Sequence, residues 1–130
     1  MKHPRNPTTV HPPAAAYTHQ IEISGDERLL VLSGQLGMRP DGVVPDDPIQ
    51  QLDEALTNVE RNLATAGMGV GDLVKLTFYL VGDVDLDRWR EVLTTRLGEH
   101  RPCMTLLFVA GLARPAFRIE LDAWASSAAR

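Results

Sequence analysis

The sequence predicts an α+β domain in which two amphipathic helices pack on one face of a mixed β-sheet. Three observations carry this reading. β-type and helix-type runs follow one another as ββ, α, β, α, ββ; residues 52–66 carry one apolar stripe at helical spacing; and residues 73–81 form a strand with apolar groups on both faces. At 130 residues, with 44% apolar and 23% charged side chains, the chain is long enough for one compact core and too short for two ordinary domains.

The opening MKHPRNPTTVHPP is proline-rich and aperiodic, so residues 1–12 are read as a flexible N-terminal arm and 13–126 as the single domain. Two β-type runs, 17–24 and 28–35, flank the turn signal Ser24-Gly25-Asp26, which predicts a hairpin between them. Asp47 then caps a helix that starts at Pro48 and buries Leu52, Leu56, Val59, Leu63 and Ala66, with Gly67 as its natural stop. The strand that follows should be central in the sheet. A second helix over 85–97 buries Trp89, Val92, Leu93 and Leu97, with Asp85 and Asp87 at its positive end and Arg96 favourably placed at the other. The last third reads as two strands, 103–112 and 116–125, with SSAAR frayed beyond them. In the final strand Phe117, Ile119, Leu121 and Ala123 alternate with Arg118, Glu120, Asp122 and Trp124, giving one apolar and one polar face. Two helices cover only one face of such a sheet, so its other face needs a partner surface, and oligomerisation is the economical answer.

Thirteen basic against seventeen acidic residues give a formal charge of -4, which argues against a nucleic-acid partner. The single cysteine cannot form an intramolecular disulfide, and the four histidines are scattered, so no metal is expected. No apolar run reaches membrane length, and the opening residues lack the apolar core of a signal peptide, so the expectation is a cytoplasmic protein.

Chemistry is harder to place from residue types. In HRPCMTLLFV, Cys103 follows His100 and Arg101, which could lower its pKa if they lay close, but burial is the common fate of a free cysteine. Glu120 is a carboxylate in the middle of an otherwise β-branched and apolar strand and must face water or accept hydrogen bonds in a cleft. Ser33 ends the apolar run LLVLSG, where a hydroxyl can serve a local turn, and Tyr17 fits edge packing as well as a ligand contact. The SGQLG stretch is too short to cradle phosphate.

In succession, PAAAY, VLSGQLG, QLDEALTNVERNLATAGMGVGDLVKLTFYL and EHRPCMTLLFVAGLARPAFRIELDAWA resemble the RidA family, also called YjgF or L-PSP, over residues 13–125. The resemblance implies a chorismate-mutase-like α+β fold assembled as a homotrimer with a barrel-like core and a small-molecule cleft at each subunit interface. It implies hydrolysis of reactive enamines and imines to a 2-oxo acid and ammonia, with no cofactor. Tyr17 then matches the family's aromatic near the first strand, Ser33 the serine of its S-G-Q motif, and Glu120 the glutamate that would position or activate water. The family arginine that grips the substrate carboxylate is replaced by Met104, with Thr105 and Leu106 at the next two positions. An uncharged side chain cannot imitate that bidentate grip. Arg101, Arg114 and Arg118 are candidate anion contacts, and strand periodicity points Arg101 to the face opposite Met104 unless the backbone bends at Pro102. Two main classes follow, a deaminase built on Glu120, Tyr17, Ser33 and Thr105 and a non-catalytic protein whose cleft binds a less charged ligand or seals the assembly; an endoribonuclease ranks third, because the acidic charge offers no phosphate track.

Overall fold

The computed structural model describes residues 1–129. In chain order these form β1 (Lys2–Arg5), β2 (Gln20–Ile23), β3 (Glu27–Leu36), α1 (Pro48–Thr65), a 3-10 turn (Val70–Asp72), β4 (Leu73–Leu80), α2 (Leu86–Leu97), β5 (Cys103–Phe108) and β6 (Ile119–Ala128). The main sheet has the order β3-β6-β4-β5, with β4 and β5 parallel and the other neighbours antiparallel. It is the mixed sheet with two helices that the sequence predicts. Leu76, Phe78 and Leu80 of β4 and Ile119, Leu121 and Ala123 of β6 meet the apolar sides of both helices in one core. No helix among the described residues is long and apolar enough to cross a membrane.

Both helices start where the capping residues place them. The Asp47 carboxylate accepts from the Ile49 amide at 3.0 Å, with Pro48 at the first helical position, and Leu52, Leu56, Val59 and Leu63 are buried. In α2 the Asp85 carboxylate accepts from the amides of Asp87 and Arg88. Trp89 and Leu97 are buried, but Val92 and Leu93 are only half-buried, because α2 lies toward the β5 edge, where a cavity opens beside it. Arg96 has a further task besides its place near the helix end: its guanidinium crosses to α1 and meets Asp53 at 2.6 Å, Glu60 at 2.9 Å and Thr57 at 3.0 Å.

Asp47 also receives a hydrogen bond from Arg88 at 2.8 Å, and that contact, with the Ile49 amide, holds its carboxyl below the usual value. Its contribution to stability is therefore present above the ordinary carboxylate range and is lost as pH falls through the lowered folded value. Asp47→Ala should cost about 1 kcal/mol through the lost cap. Asp47→Asn, which keeps an acceptor for the Ile49 amide, should cost clearly less. Urea unfolding of both variants at neutral pH checks this order.

Three sequence expectations are corrected. The predicted hairpin does not form: β2 pairs with β1, with Lys2 opposite Ile23 and Arg5 opposite Gln20, while β3 pairs with β6. The turn signal at 24–26 reverses the chain, but β3 finds its partner about a hundred residues later, and local patterning carries no such information. Regular structure thus begins in the arm, where Lys2–Arg5 pair as a strand and Pro4 is accommodated in a two-stranded ribbon that is all edge. The last strands are also displaced: β5 stops at Phe108, and β6 starts at Ile119 and runs through Ser126 and Ala128 instead of fraying at Ser126.

The start of β6 is set by a side chain that periodicity cannot single out. Gln51, fully buried on α1, donates to the carbonyls of Pro45 at 2.7 Å and Ala116 at 2.9 Å, and accepts from the amides of Arg118 at 2.9 Å and Ile119 at 3.2 Å. One amide thus ties the loop before α1 to the residue preceding Glu120.

Candidate functional site

Strand alternation separates the candidate residues into two groups. On the face turned away from the helices, Thr77 of β4 lies between Asp122 of β6 and Thr105 of β5, and Tyr79 lies beside Glu120. The Tyr79 hydroxyl donates to Asp122 at 2.9 Å, and this bond, reinforced by burial, holds the phenol above its usual value. Lys75 donates to the Thr105 hydroxyl at 2.7 Å. Around these polar groups Leu29, Val31, Leu107 and Trp124 stand exposed, the last at 43%, so this face of the chain is a wide and partly apolar surface.

Glu120 sits over β3. A Cβ on Gly34 would lie 2.7 Å from its carboxyl carbon and equally close to one of its oxygens, so only glycine lets the acid lie there. The position falls in the irregular stretch of β3 between Leu32 and Gln35, where the ladder with β6 shifts register and exposed Ser33 sits next to Gly34. Among the described residues the Glu120 carboxylate has no hydrogen-bond or ion-pair partner, which leaves its oxygens available as acceptors. Gly37 plays a parallel part, since a Cβ there would lie 2.5 Å from the Cα of Gln51 and push α1 away. The glycines of SGQLG therefore serve close packing around Glu120 and Gln51.

The second group lies on the helix side of β5. A cavity of about 600 Å3 opens between α2, the edge of β5 and the segment before β2, with Tyr17, Arg101, Met104 and Trp89 in its wall. Tyr17 is braced by its hydroxyl, which accepts from the Ala14 amide at 3.1 Å, and by an edge-on contact with His19. Thr18, buried beside it, receives no special mark in the sequence. Its amide donates to the Pro102 carbonyl at 3.2 Å and its hydroxyl to the Arg101 carbonyl, which fixes Tyr17 and Arg101 on one rim.

Period-two alternation points Arg101 away from Met104; the structure brings both to this cavity. The strand starts only at Cys103, and Arg101 and the buried Pro102 precede it in irregular backbone, so alternation does not extend back to Arg101. The other arginines are committed elsewhere. Arg118 donates to the carbonyls of Val81 at 2.8 Å and Asp83 at 2.9 Å, and Arg114 lies over the Phe117 ring at 5.4 Å. Cys103 is half-buried, and burial pushes its thiol up despite the nearby Lys75 ammonium, the opposite of what a nucleophile requires. Among the described residues no cluster of His, Cys, Asp or Glu is suited to a metal ion.

Residues 8–127 match the family model described as Endoribonuclease L-PSP. The chain belongs to the RidA/YjgF/L-PSP family. It is 29% identical over 120 residues to the 2-iminobutanoate/2-iminopropanoate deaminase of Mus musculus, a match covering 89% of this chain and 86% of that protein. Among solved structures, a protein of unknown function of the conserved Rid protein family, YyfB from Yersinia pestis, superposes with a TM-score of 0.82 at 25% identity, covering 95% of this chain and 97% of that one. E. coli TdcF with bound serine superposes with a TM-score of 0.71 at 26% identity, over 87% of this chain and 94% of that one. RidA-family membership agrees with the fold described above and with the four segments on which the resemblance rests.

Proposed function

We propose that this RidA-family chain is an imine-hydrolysing, small-metabolite-binding protein that works as a homotrimer, each site lying between the cavity of one subunit and the open sheet face of its neighbour. The observation that carries the reading is the separation of the two groups. Glu120 and Gly34 lie on the uncovered face near β3, whereas Tyr17, Arg101 and Met104 lie on the helix side at the opposite, β5 edge. One ligand can meet both only across two copies, and the exposed Val31, Leu107 and Trp124 supply apolar surface for such an assembly.

In this site the unpartnered Glu120 carboxylate takes a proton from water as its oxygen bonds to the imine carbon. The C=N π pair moves to nitrogen, which takes that proton from Glu120 to give a carbinolamine; Glu120 then carries the hydroxyl proton to nitrogen as the C–N bond breaks with its electron pair on nitrogen and the carbonyl forms, so imino acid and water become 2-oxo acid and ammonia. Ser33 and Thr105 hydrogen-bond the substrate, and Tyr17 closes the cleft. No cofactor enters the balance. RNA cleavage, which the family description names, is not proposed, because a chain of net charge -4 offers no phosphate track.

Light scattering and an ammonia assay with freshly generated 2-imino acids test this together. A trimer mass and ammonia release above the buffer rate are expected. A stable monomer would remove the shared site, and a trimer with no excess ammonia for any imino acid would leave a non-catalytic ligand-binding protein. Met104→Arg should raise turnover of the smallest substrate by adding a carboxylate grip that methionine lacks.

A further inference from the structure

The β5-edge cavity combines apolar walls with a guanidinium, that of Arg101, which has no acidic partner among the described residues. Trp89, Phe78, Leu93 and Met104 line it, and its volume of about 600 Å3 falls within the ~300–1,000 Å3 typical of small-molecule sites. Two guanidiniums also contribute to its wall. Arg90 pairs with Asp87 at 3.0 Å on the exposed side of α2. One terminal nitrogen of Arg101 is held by the carbonyls of Gly98 at 2.7 Å and His100 at 3.1 Å, which orients the planar group and leaves its other nitrogen donors without an acceptor among the described residues.

We infer that this cavity selects a monocarboxylate with a bulky, aromatic-sized apolar tail, the acid held by Arg101 and the tail packed between Met104, Leu93, Phe78 and Trp89. The inference rests on the reading of the cavity as part of the ligand site and adds its substrate class. A carboxylate pairs with the forked donors of a pre-oriented guanidinium, and a planar ring removes from water the apolar wall that an acid as small as pyruvate would leave wet. The charge that would grip a small acid deep in the site is absent at Met104, while a charge at Arg101 suits a longer reach. Methionine, flexible and polarizable, packs well against a ring.

Calorimetric titration of the full chain with phenylpyruvate, pyruvate and phenylacetamide tests the inference. Phenylpyruvate should bind ~10-fold or more tightly than pyruvate, and Arg101→Gln should weaken phenylpyruvate by ~10-fold or more while leaving the uncharged amide unchanged. Arg101 is exposed, so this variant should fold as the parent does; thermal melting checks that. In Met104→Arg, which places a charge among the apolar groups, the preference should move toward pyruvate. Equal or tighter binding of pyruvate by the parent chain, or an Arg101→Gln variant that binds phenylpyruvate undiminished, would overturn the inference. The outcomes separate from those of the hydrolysis reading: phenylpyruvate binding without ammonia release leaves the specificity intact and removes the catalysis, whereas turnover confined to the smallest imino acids does the reverse.

Discussion

Glu120→Gln should lower the rate of ammonia release from 2-imino acids by ~100-fold or more while leaving assembly and ligand affinity close to those of the parent chain. The substitution keeps the side chain's shape, which the close approach to Gly34 demands, and removes the charge that makes the group a base. Because the carboxylate has no hydrogen-bond or ion-pair partner among the described residues, its loss breaks no ion pair there. Urea unfolding at equal protein concentration should therefore move by less than ~0.5 kcal/mol. A rate unchanged within a factor of two would exclude Glu120 as the base. A fall in rate accompanied by lost assembly would show that the substitution acts on the fold.

The largest effect on stability is expected at Gln51. In Gln51→Leu, an apolar side chain of similar volume replaces an amide that serves the carbonyls of Pro45 and Ala116 and the amides of Arg118 and Ile119, all near the buried start of β6. Each buried polar group left unpaired costs about 1–3 kcal/mol, so a total loss of ~3 kcal/mol or more is expected. The urea midpoint should fall with little change in its slope. Activity should fall as well, because Ile119 precedes Glu120 and its amide is one of the anchored groups. A stability change below ~1 kcal/mol would mean that water or backbone adjustment replaces the glutamine.

Much of the fold could be read from local chemistry. Asp47-Pro48 and Asp85 are helix starts whose side chains bond the first amides, and the stripe from Leu52 to Leu63 repeats at helical spacing, so α1 and α2 are predictable without reference to the rest of the chain. Pairing was less legible. The Ser24-Gly25-Asp26 turn predicted a hairpin, but β2 is taken by β1 and β3 by β6, and the choice depends on edges and burial distributed over the whole domain.

The site shows the same division. Glu120 could be singled out as a carboxylate in the middle of a largely apolar strand, and Met104 as the position at which the family resemblance implies an arginine. The convergence of Arg101 with Met104 could not, since it depends on irregular backbone ahead of Cys103, where the alternation assumed for a strand does not hold. Thr18 and Gln51 carry no sequence signal at all: one is a threonine in an irregular segment, the other a glutamine beside an amphipathic stripe. What each does follows from distant backbone groups that only the folded chain brings within reach.

The position of β6 bears on how the molecule is made. It follows every other described strand in the chain, yet it lies between β3 and β4, with Glu27 opposite Ala128 and Leu80 opposite Ile119. During synthesis β3 therefore emerges early and waits without its partner while about ninety further residues are added, its ladder groups open to other chains. β1 and β2 can pair as soon as they leave the ribosome, and α1 can wind, but the sheet can close only when residues 119–128 arrive. The same strand that carries Glu120 thus acts as the closing clasp of the domain, so this carboxylate reaches its place beside Gly34 only in the act that completes folding.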